Sequence, residues 1–199
     1  HRVEKDMRSI AEVDTTGNIR EILKDETGPI SGVQVLADNR ILITNSDGSE
    51  FFVMDRTGRA QARWKIPAWA GSFTSSSSSP DGKSIAMIGW DHPFDSIVVA
   101  KVDVGTGRFD KIAAMSGEGF DRIKWTSDNR FLFDIGESSG RQVLYSVTPE
   151  GTSKREVGVL PRFRALYTIA DDGKRISGFT ENDKSDVYMI RNLADILKQ

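Results

Sequence analysis

The residues in this 199-residue chain whose types could do chemistry are few and scattered. Gly136-Glu137-Ser138-Ser139-Gly140 has the spacing of a G-x-S-x-G nucleophile elbow, in which a strand delivers the Ser to a sharp turn and a helix leaves it. Here the strand-like run Gln142-Val143-Leu144-Tyr145 follows instead, and no His lies downstream of Ser138 to act as a base. The motif therefore reads as a hairpin loop, and no catalytic residue is assigned.

The two histidines are His1 and His92. His92 sits in Trp90-Asp91-His92-Pro93-Phe94-Asp95, a long aromatic-rich loop that could offer a rigid apolar and polar surface to a ligand. That makes Trp90, Asp91 and His92 ligand-binding candidates; alternatively, Trp90 and Phe94 cap the edge of a sheet. One His with two carboxylates is too small a donor set for a metal unless other parts of the chain contribute. Asn45-Ser46-Asp47-Gly48-Ser49-Glu50 offers oxygen ligands but lacks the alternating acidic pattern and distal Glu of a calcium loop. No metal or cofactor is expected.

A second set is cationic. Arg122 and Lys124, with Arg162 and Arg164, would suit a carboxylate, a phosphate or an acidic peptide if their strands brought them together. Alternatively they point into solvent or pair with Glu118 and Asp121. A lyase or glycosidase would instead need carboxylates to converge, and Asp91, Asp95, Glu118, Asp121 and Glu137 are the candidates.

Composition narrows the field. The 27 basic and 29 acidic residues are well mixed and leave a net charge of −2, so nucleic acid is not an expected partner. There is no cysteine, which removes disulfides, thiolate metal sites and a thiol nucleophile together. No apolar run approaches the ~20 residues a membrane helix needs, so membrane insertion is not expected. The start at His1 rather than Met implies processing or trimming.

What must position these residues is a repeat. Ala37-Asp38-Asn39-Arg40, Pro80-Asp81-Gly82-Lys83, Ser127-Asp128-Asn129-Arg130 and Asp171-Asp172-Gly173-Lys174 share a turn signature, their acidic residues 43, 47 and 44 positions apart. Each precedes a β-rich run, and Asp-Gly or Asp-Asn supplies the positive φ of a tight hairpin. A second signature is in phase: the runs at Ile10, Phe51, Ile97 and Val143 lead into turns at Thr16-Gly17, Thr57-Gly58, Thr106-Gly107 and Glu150-Gly151. Each unit parses as strand, Asp turn, strand, loop, strand, Gly turn, strand: an all-β chain of four-stranded antiparallel propeller blades. The units are 26–67, 68–116, 117–161 and 162–199, with 8–25 as the last two strands of a preceding blade, four to four and a half units in all. The run Ser75 to Ser79 falls on a first strand, which in a propeller lines the channel. A helical turn is expected near 193–198.

Ser79-Pro80-Asp81-Gly82-Lys83-Ser84-Ile85-Ala86 and the closing Ser185-Asp186-Val187-Tyr188-Met189-Ile190 resemble the repeats of TolB-like bacterial propellers. Such repeats also occur in the propeller domains of prolyl-oligopeptidase-type peptidases and beside some bacterial sensor and kinase domains. The resemblance implies six to eight blades, so the expectation is a single domain that is part of a larger propeller, or two copies paired through open blade edges. The repeat, with no assembled catalytic constellation, reads as a non-catalytic scaffold binding a protein, peptide or glycan, and the resemblance implies a periplasmic or extracytoplasmic setting or a cytoplasmic sensor. The alternative is the gating propeller of a hydrolase whose catalytic domain lies elsewhere.

Overall fold

The structure is a computed structural model, and it describes residues 9–24, 30–45, 50–160, 163–180 and 187–190. These residues hold seventeen strands and no helix. The chain divides into two compact units, 1–66 and 67–199.

In the first unit, β1 (Ser9–Val13) and β2 (Ile19–Lys24) form a two-stranded antiparallel sheet. It is followed by β3 (Ile30–Val35), β4 (Ile41–Asn45), β5 (Glu50–Met54) and β6 (Ala60–Lys65), a four-stranded sheet in that order. In the second unit, β7 (Ala70–Ser78), β8 (Ser84–Asp91), β9 (Ile97–Asp103) and β10 (Phe109–Met115) repeat the pattern. So do β11 (Ile123–Trp125), β12 (Phe131–Gly136), β13 (Gln142–Val147) and β14 (Arg155–Leu160). A last sheet shows three strands, β15 (Phe163–Ile169), β16 (Ile176–Thr180) and β17 (Val187–Ile190). All pairings are between sequence neighbours, so each sheet is an up-and-down meander, as the two in-phase signatures require.

The turn chemistry explains the regularity. Asn39, Gly82, Asn129 and Gly173, the residues after the repeated Asp, have φ of 66°, 70°, 61° and 66°. This is the left-handed region, which Gly and Asn enter at least cost. The Asp carboxylates fold back on their own turns: Asp81 accepts from Ser79 Oγ at 2.6 Å and from the Lys83 amide at 3.0 Å. The Gly turns carry a matching device. Asp14, Asp55 and Asp103 each accept from the backbone amide and hydroxyl of Thr16, Thr57 and Thr106. Those donors hold all three carboxyls below the ordinary carboxylate range. This second Asp, at the strand end before each Thr-Gly, is a turn lock.

Packing between sheets supplies the core. In the second unit Ala86, Ile88, Ile97 and Val99 of the β7–β10 sheet meet Ile123, Trp125, Phe131, Phe133, Ile135 and Val147 of the next. Full burial of side chains this size contributes about 1.5–3 kcal/mol each, which outweighs any single turn contact. Leu132, Leu144, Val157 and Leu160 then pack on Tyr167, Ile169 and Ile176 of the last sheet.

The serine run has a specific place in this packing. β11 pairs with β12 on one edge only, so its other edge needs acceptors for its amides. Ser75 Oγ accepts from the Ile123 amide at 3.2 Å and Ser77 Oγ from the Trp125 amide at 2.9 Å. Alternate serines of one inner strand thus stitch the inner strand of the next sheet. Ser79 caps its own hairpin, its hydroxyl accepting from the Ser84 amide at 3.0 Å.

Candidate functional site

Antiparallel meanders deliver their connections to two ends. In the second unit the Asp and Gly turns occupy one end, and the other gathers the β8–β9 loop, the 116–122 lead-in to β11 and the β12–β13 loop. His92, Asp91, Asp95, Glu118, Asp121, Glu137 and Ser138, proposed from sequence for several different chemistries, all fall at this second end.

The β8–β9 loop is built around Asp91. Its carboxylate accepts from the amides of Asp95 at 3.1 Å and Ser96 at 2.8 Å, and its carbonyl accepts from the Phe94 amide at 2.7 Å. Lys111 Nζ lies 4.0 Å from the Asp91 carboxylate and 5.5 Å from the Trp69 ring centroid. Asp91 is thereby a structural residue of the loop. The tight turn puts Phe94 at φ 81°, a left-handed conformation bulky residues avoid, and leaves its side chain 56% exposed. The exposed His92 ring stands 6.3 Å from the Phe94 ring, centroid to centroid. Gly71 lies beneath: a Cβ there would sit 2.7 Å from the Asp91 carbonyl oxygen and 2.9 Å from Phe94 Cε1.

The lead-in to β11 is anchored at both ends. The Glu118 amide donates to the Gly136 carbonyl and the Gly136 amide to the Gly119 carbonyl, both at 2.8 Å, while Phe120 packs on Trp90 with ring centroids 5.8 Å apart. Trp90 is thus a half-buried prop for the neighbouring loop, the edge-capping role, and its ring is not presented to solvent as a free face. Asp121 and Arg122 donate their amides to the two oxygens of Asp134, at 3.1 and 3.0 Å.

Asp134 is the buried centre of the arrangement, with 0% exposure. Besides those two amides it accepts from Gln142 Nε2 and from the Tyr167 hydroxyl of the next sheet. Gln142 also donates to Asp121 Oδ2 at 2.9 Å. Burial pushes the Asp134 carboxyl above its usual range, against the pull of its four donors, and the Asp121 charge adds to the rise. The Tyr167 hydroxyl is pushed up as well, by burial first and then by Asp134.

Above this centre lies an open depression of about 310 Å³, lined by Glu118, Asp121, Glu137, Arg141 and Gln142 over the backbone of Gly119, Gly136 and Gly140. Arg141 reaches Glu137 at 3.4 Å and Glu156 at 3.7 Å. Ser138 is exposed in the hairpin loop that ends at β13, the structural context expected of a turn and not of a nucleophile elbow. Among the described residues no group of three or more His, Cys, Asp or Glu side chains is placed to hold a metal ion.

Within the cationic set the structure describes the side chains of Arg122 and Lys124 alone. Lys124 pairs with Asp171 at 2.5 Å, in a turn at the opposite end, because strand alternation sends it away from the face shared by Ile123 and Trp125. The Lys124 hydrogen bond and charge hold the Asp171 carboxyl low. Arg122 is exposed beside the lead-in. Arg164 lies on β15, and Arg162 falls outside the described residues, as do Ser46–Ser49 and the expected helical turn.

Asp134, Gln142 and Tyr167 were missed by motif reasoning. The available signal was the charge itself: Asp134 interrupts Phe131-Leu132-Phe133-Asp134-Ile135, and an Asp inside an apolar strand needs partners.

Successive four-stranded antiparallel meanders, packed face to face with inner-strand stitching, define a β-propeller protein. No family model matches the sequence, and no curated protein matches it. Solved structures do match, 669 chains in all, and they bear out the propeller and its TolB-like resemblance at the level of fold. TolB from Acinetobacter baumannii matches with a TM-score of 0.67 and 20% identity, over 92% of this chain and 46% of that one. The nidogen/laminin complex matches at 0.69 with 13% identity, over 94% and 69%. Oligogalacturonate lyase from Vibrio parahaemolyticus matches at 0.56 with 12% identity, over 92% and 68%. The chain therefore spans about half the length of that TolB.

Proposed function

We propose that this chain is a non-catalytic binding module, holding a protein or peptide, or a glycan, at the loop end of the second unit. The observation that carries this reading is the convergence of three loops there: Phe94 and His92 exposed on one, and a polar depression between the other two. An exposed aromatic held by a turn and a sheet costs little entropy to bury, which is how binding surfaces use such residues. The glycine floor lets a ligand approach the backbone. Matched propellers include both a protein complex and a lyase, so the fold alone does not choose between binding and chemistry. At the loop end the central acid, Asp134, is buried and matched by its donors, while Glu118, Asp121 and Glu137 line the open depression and are the carboxylates that a catalytic reading would use. The extracytoplasmic setting is part of the same proposal and rests on the TolB-like resemblance.

A panel of ester, peptide and polyuronate substrates tests the non-catalytic part. The expected result is no turnover above background. Turnover that is abolished by Asp121→Asn or Glu137→Gln would replace binding with a propeller lyase or glycosidase.

A further inference from the structure

Gly117, Gly119 and Gly140 all fall at the loop end of the second unit, and the fold needs two of them for its own sake. A Cβ on Gly117 would sit 2.5 Å from Ile135 Cγ2 and 2.8 Å from Ile97 Cδ1, and Gly140 turns its hairpin at φ 77°. Gly119 has neither reason to be glycine. Its φ is not positive, and a Cβ there would meet nothing within 4 Å. A side chain at this position would have only open space to fill, at the floor of the depression between the lead-in to β11 and the β12–β13 loop.

The charge around that space is unbalanced. Glu118, Asp121 and Glu137 line it, with Arg141 as the single cationic side chain among the lining residues. Arg141 is engaged by Glu137 at 3.4 Å and by Glu156 at 3.7 Å. Glu118 is exposed, and among the described residues its carboxylate has no hydrogen bond or ion pair. Asp121 accepts from Gln142 Nε2 at 2.9 Å, a neutral donor. Arg122 is exposed, does not line the depression and forms no ion pair with either acid among the described residues. Two carboxylates therefore border an open volume with no cation of their own, and an entering positive charge would lower the energy of both.

Size and sign narrow the occupant. The volume of about 310 Å³ is at the low end for a ligand site, and suits one long side chain better than an oligosaccharide. A uronate or a phosphate would bring charge of the wrong sign. Phe120 in the wall packs on Trp90, which leads into the loop that bears the exposed Phe94 and His92, so a peptide crossing the rim meets an aromatic surface.

Building on the loop-end binding proposal, on which it rests, we infer that the depression takes an arginine side chain of a peptide segment, its guanidinium shared between Glu118 and Asp121 above Gly119. Five donors in a planar fork can serve two carboxylates at once, which the compact charge of a lysine does less well.

The test takes the members of an immobilised peptide library that bind the wild-type chain and remakes each with citrulline, the neutral isostere, in place of arginine. The tightest binders are expected to contain arginine, and citrulline to weaken them at least ~10-fold. Glu118→Gln should weaken the arginine peptide as much and leave its citrulline form unchanged. Gly119→Leu should block the arginine peptide with the urea midpoint unchanged; if that variant does not fold, Glu118→Gln, at an exposed position, still decides. Binding that is lost with Phe94→Ala but indifferent to citrulline and to Glu118→Gln would overturn the arginine assignment and leave the loop-end reading standing. A preference for acidic peptides would do the same. Binding indifferent to Glu118→Gln, Gly119→Leu and Phe94→Ala alike, or no binding at all, would overturn both.

Discussion

Asp134→Asn is the most informative single change in the second unit. The wild-type carboxylate gives two oxygens to four donors: Oδ1 to the Arg122 amide and the Tyr167 hydroxyl, Oδ2 to the Asp121 amide and Gln142. Asparagine has the same shape but offers one acceptor oxygen, and its amino group is a donor. Gln142 can turn its amide and Tyr167 can rotate its hydroxyl, but a backbone N–H can do neither. Whichever way the substituted side chain faces, one buried amide, that of Asp121 or Arg122, is left opposite a donor. An orphaned buried donor costs about 1–3 kcal/mol, and lost charge assistance adds to it, so a loss of about 2–3 kcal/mol is expected. Tyr167→Phe, which removes one donor and leaves the other three matched, should cost only about 1 kcal/mol. Three of the four tryptophans, Trp69, Trp90 and Trp125, lie in the second unit, so tryptophan fluorescence during urea unfolding follows mainly this region. An Asp134→Asn midpoint within about 0.5 kcal/mol of wild type would refute the view of Asp134 as the keystone of the loop end.

Further outcomes follow from the same contacts. Ser77→Ala should cost about 1–2 kcal/mol by stranding the Trp125 amide, while Ser78→Ala stays within about 0.5 kcal/mol, as read by urea midpoints. Asn39→Gly should be neutral to within about 0.5 kcal/mol and Asn39→Ala about 1 kcal/mol destabilising, because φ there is 66°. The pH dependence has two signs. Asp81 and Asp103 have lowered folded values, so the folded state binds fewer protons near the ordinary value of about 3.9; their stabilisation is full above it and is lost as pH falls through the folded values. Asp134 is raised, so its contribution is full below about 3.9 and is lost as pH rises through its folded value. Unfolding midpoints of wild type and Asp134→Asn followed from acid to neutral pH separate the two signs, because the wild type alone carries the Asp134 titration.

The sheets were legible from sequence because their information is local. Each Asp turn needs a residue that tolerates positive φ, and Asn39, Gly82, Asn129 and Gly173 announce it one by one. The loop end was half legible. His92 and Phe94 stood out because their loop is long and aromatic, but the role of Trp90 as a prop depends on Phe120, thirty positions away. The Asp134 network draws on β12, β13, β15 and the lead-in to β11, and no spacing rule links them. The partner of Lys124 was illegible for the same reason: Asp171 belongs to the next sheet. The serine run, compositionally a linker, took its meaning from phase, and its actual work is on the amides of Ile123 and Trp125.

The most direct test of the binding proposal compares three proteins on immobilised peptide and glycan libraries: wild type, a loop-end variant carrying Phe94→Ala and Glu137→Gln, and an opposite-end variant carrying Lys83→Ala and Lys174→Ala. All four positions are surface-accessible, so each protein should fold as wild type does. Wild type and the opposite-end variant are expected to bind the same library members, with affinity at least ~10-fold weaker in the loop-end variant. Binding that survives the loop-end changes and is lost with Lys83 and Lys174 would contradict the account and move the site to the Asp-turn end.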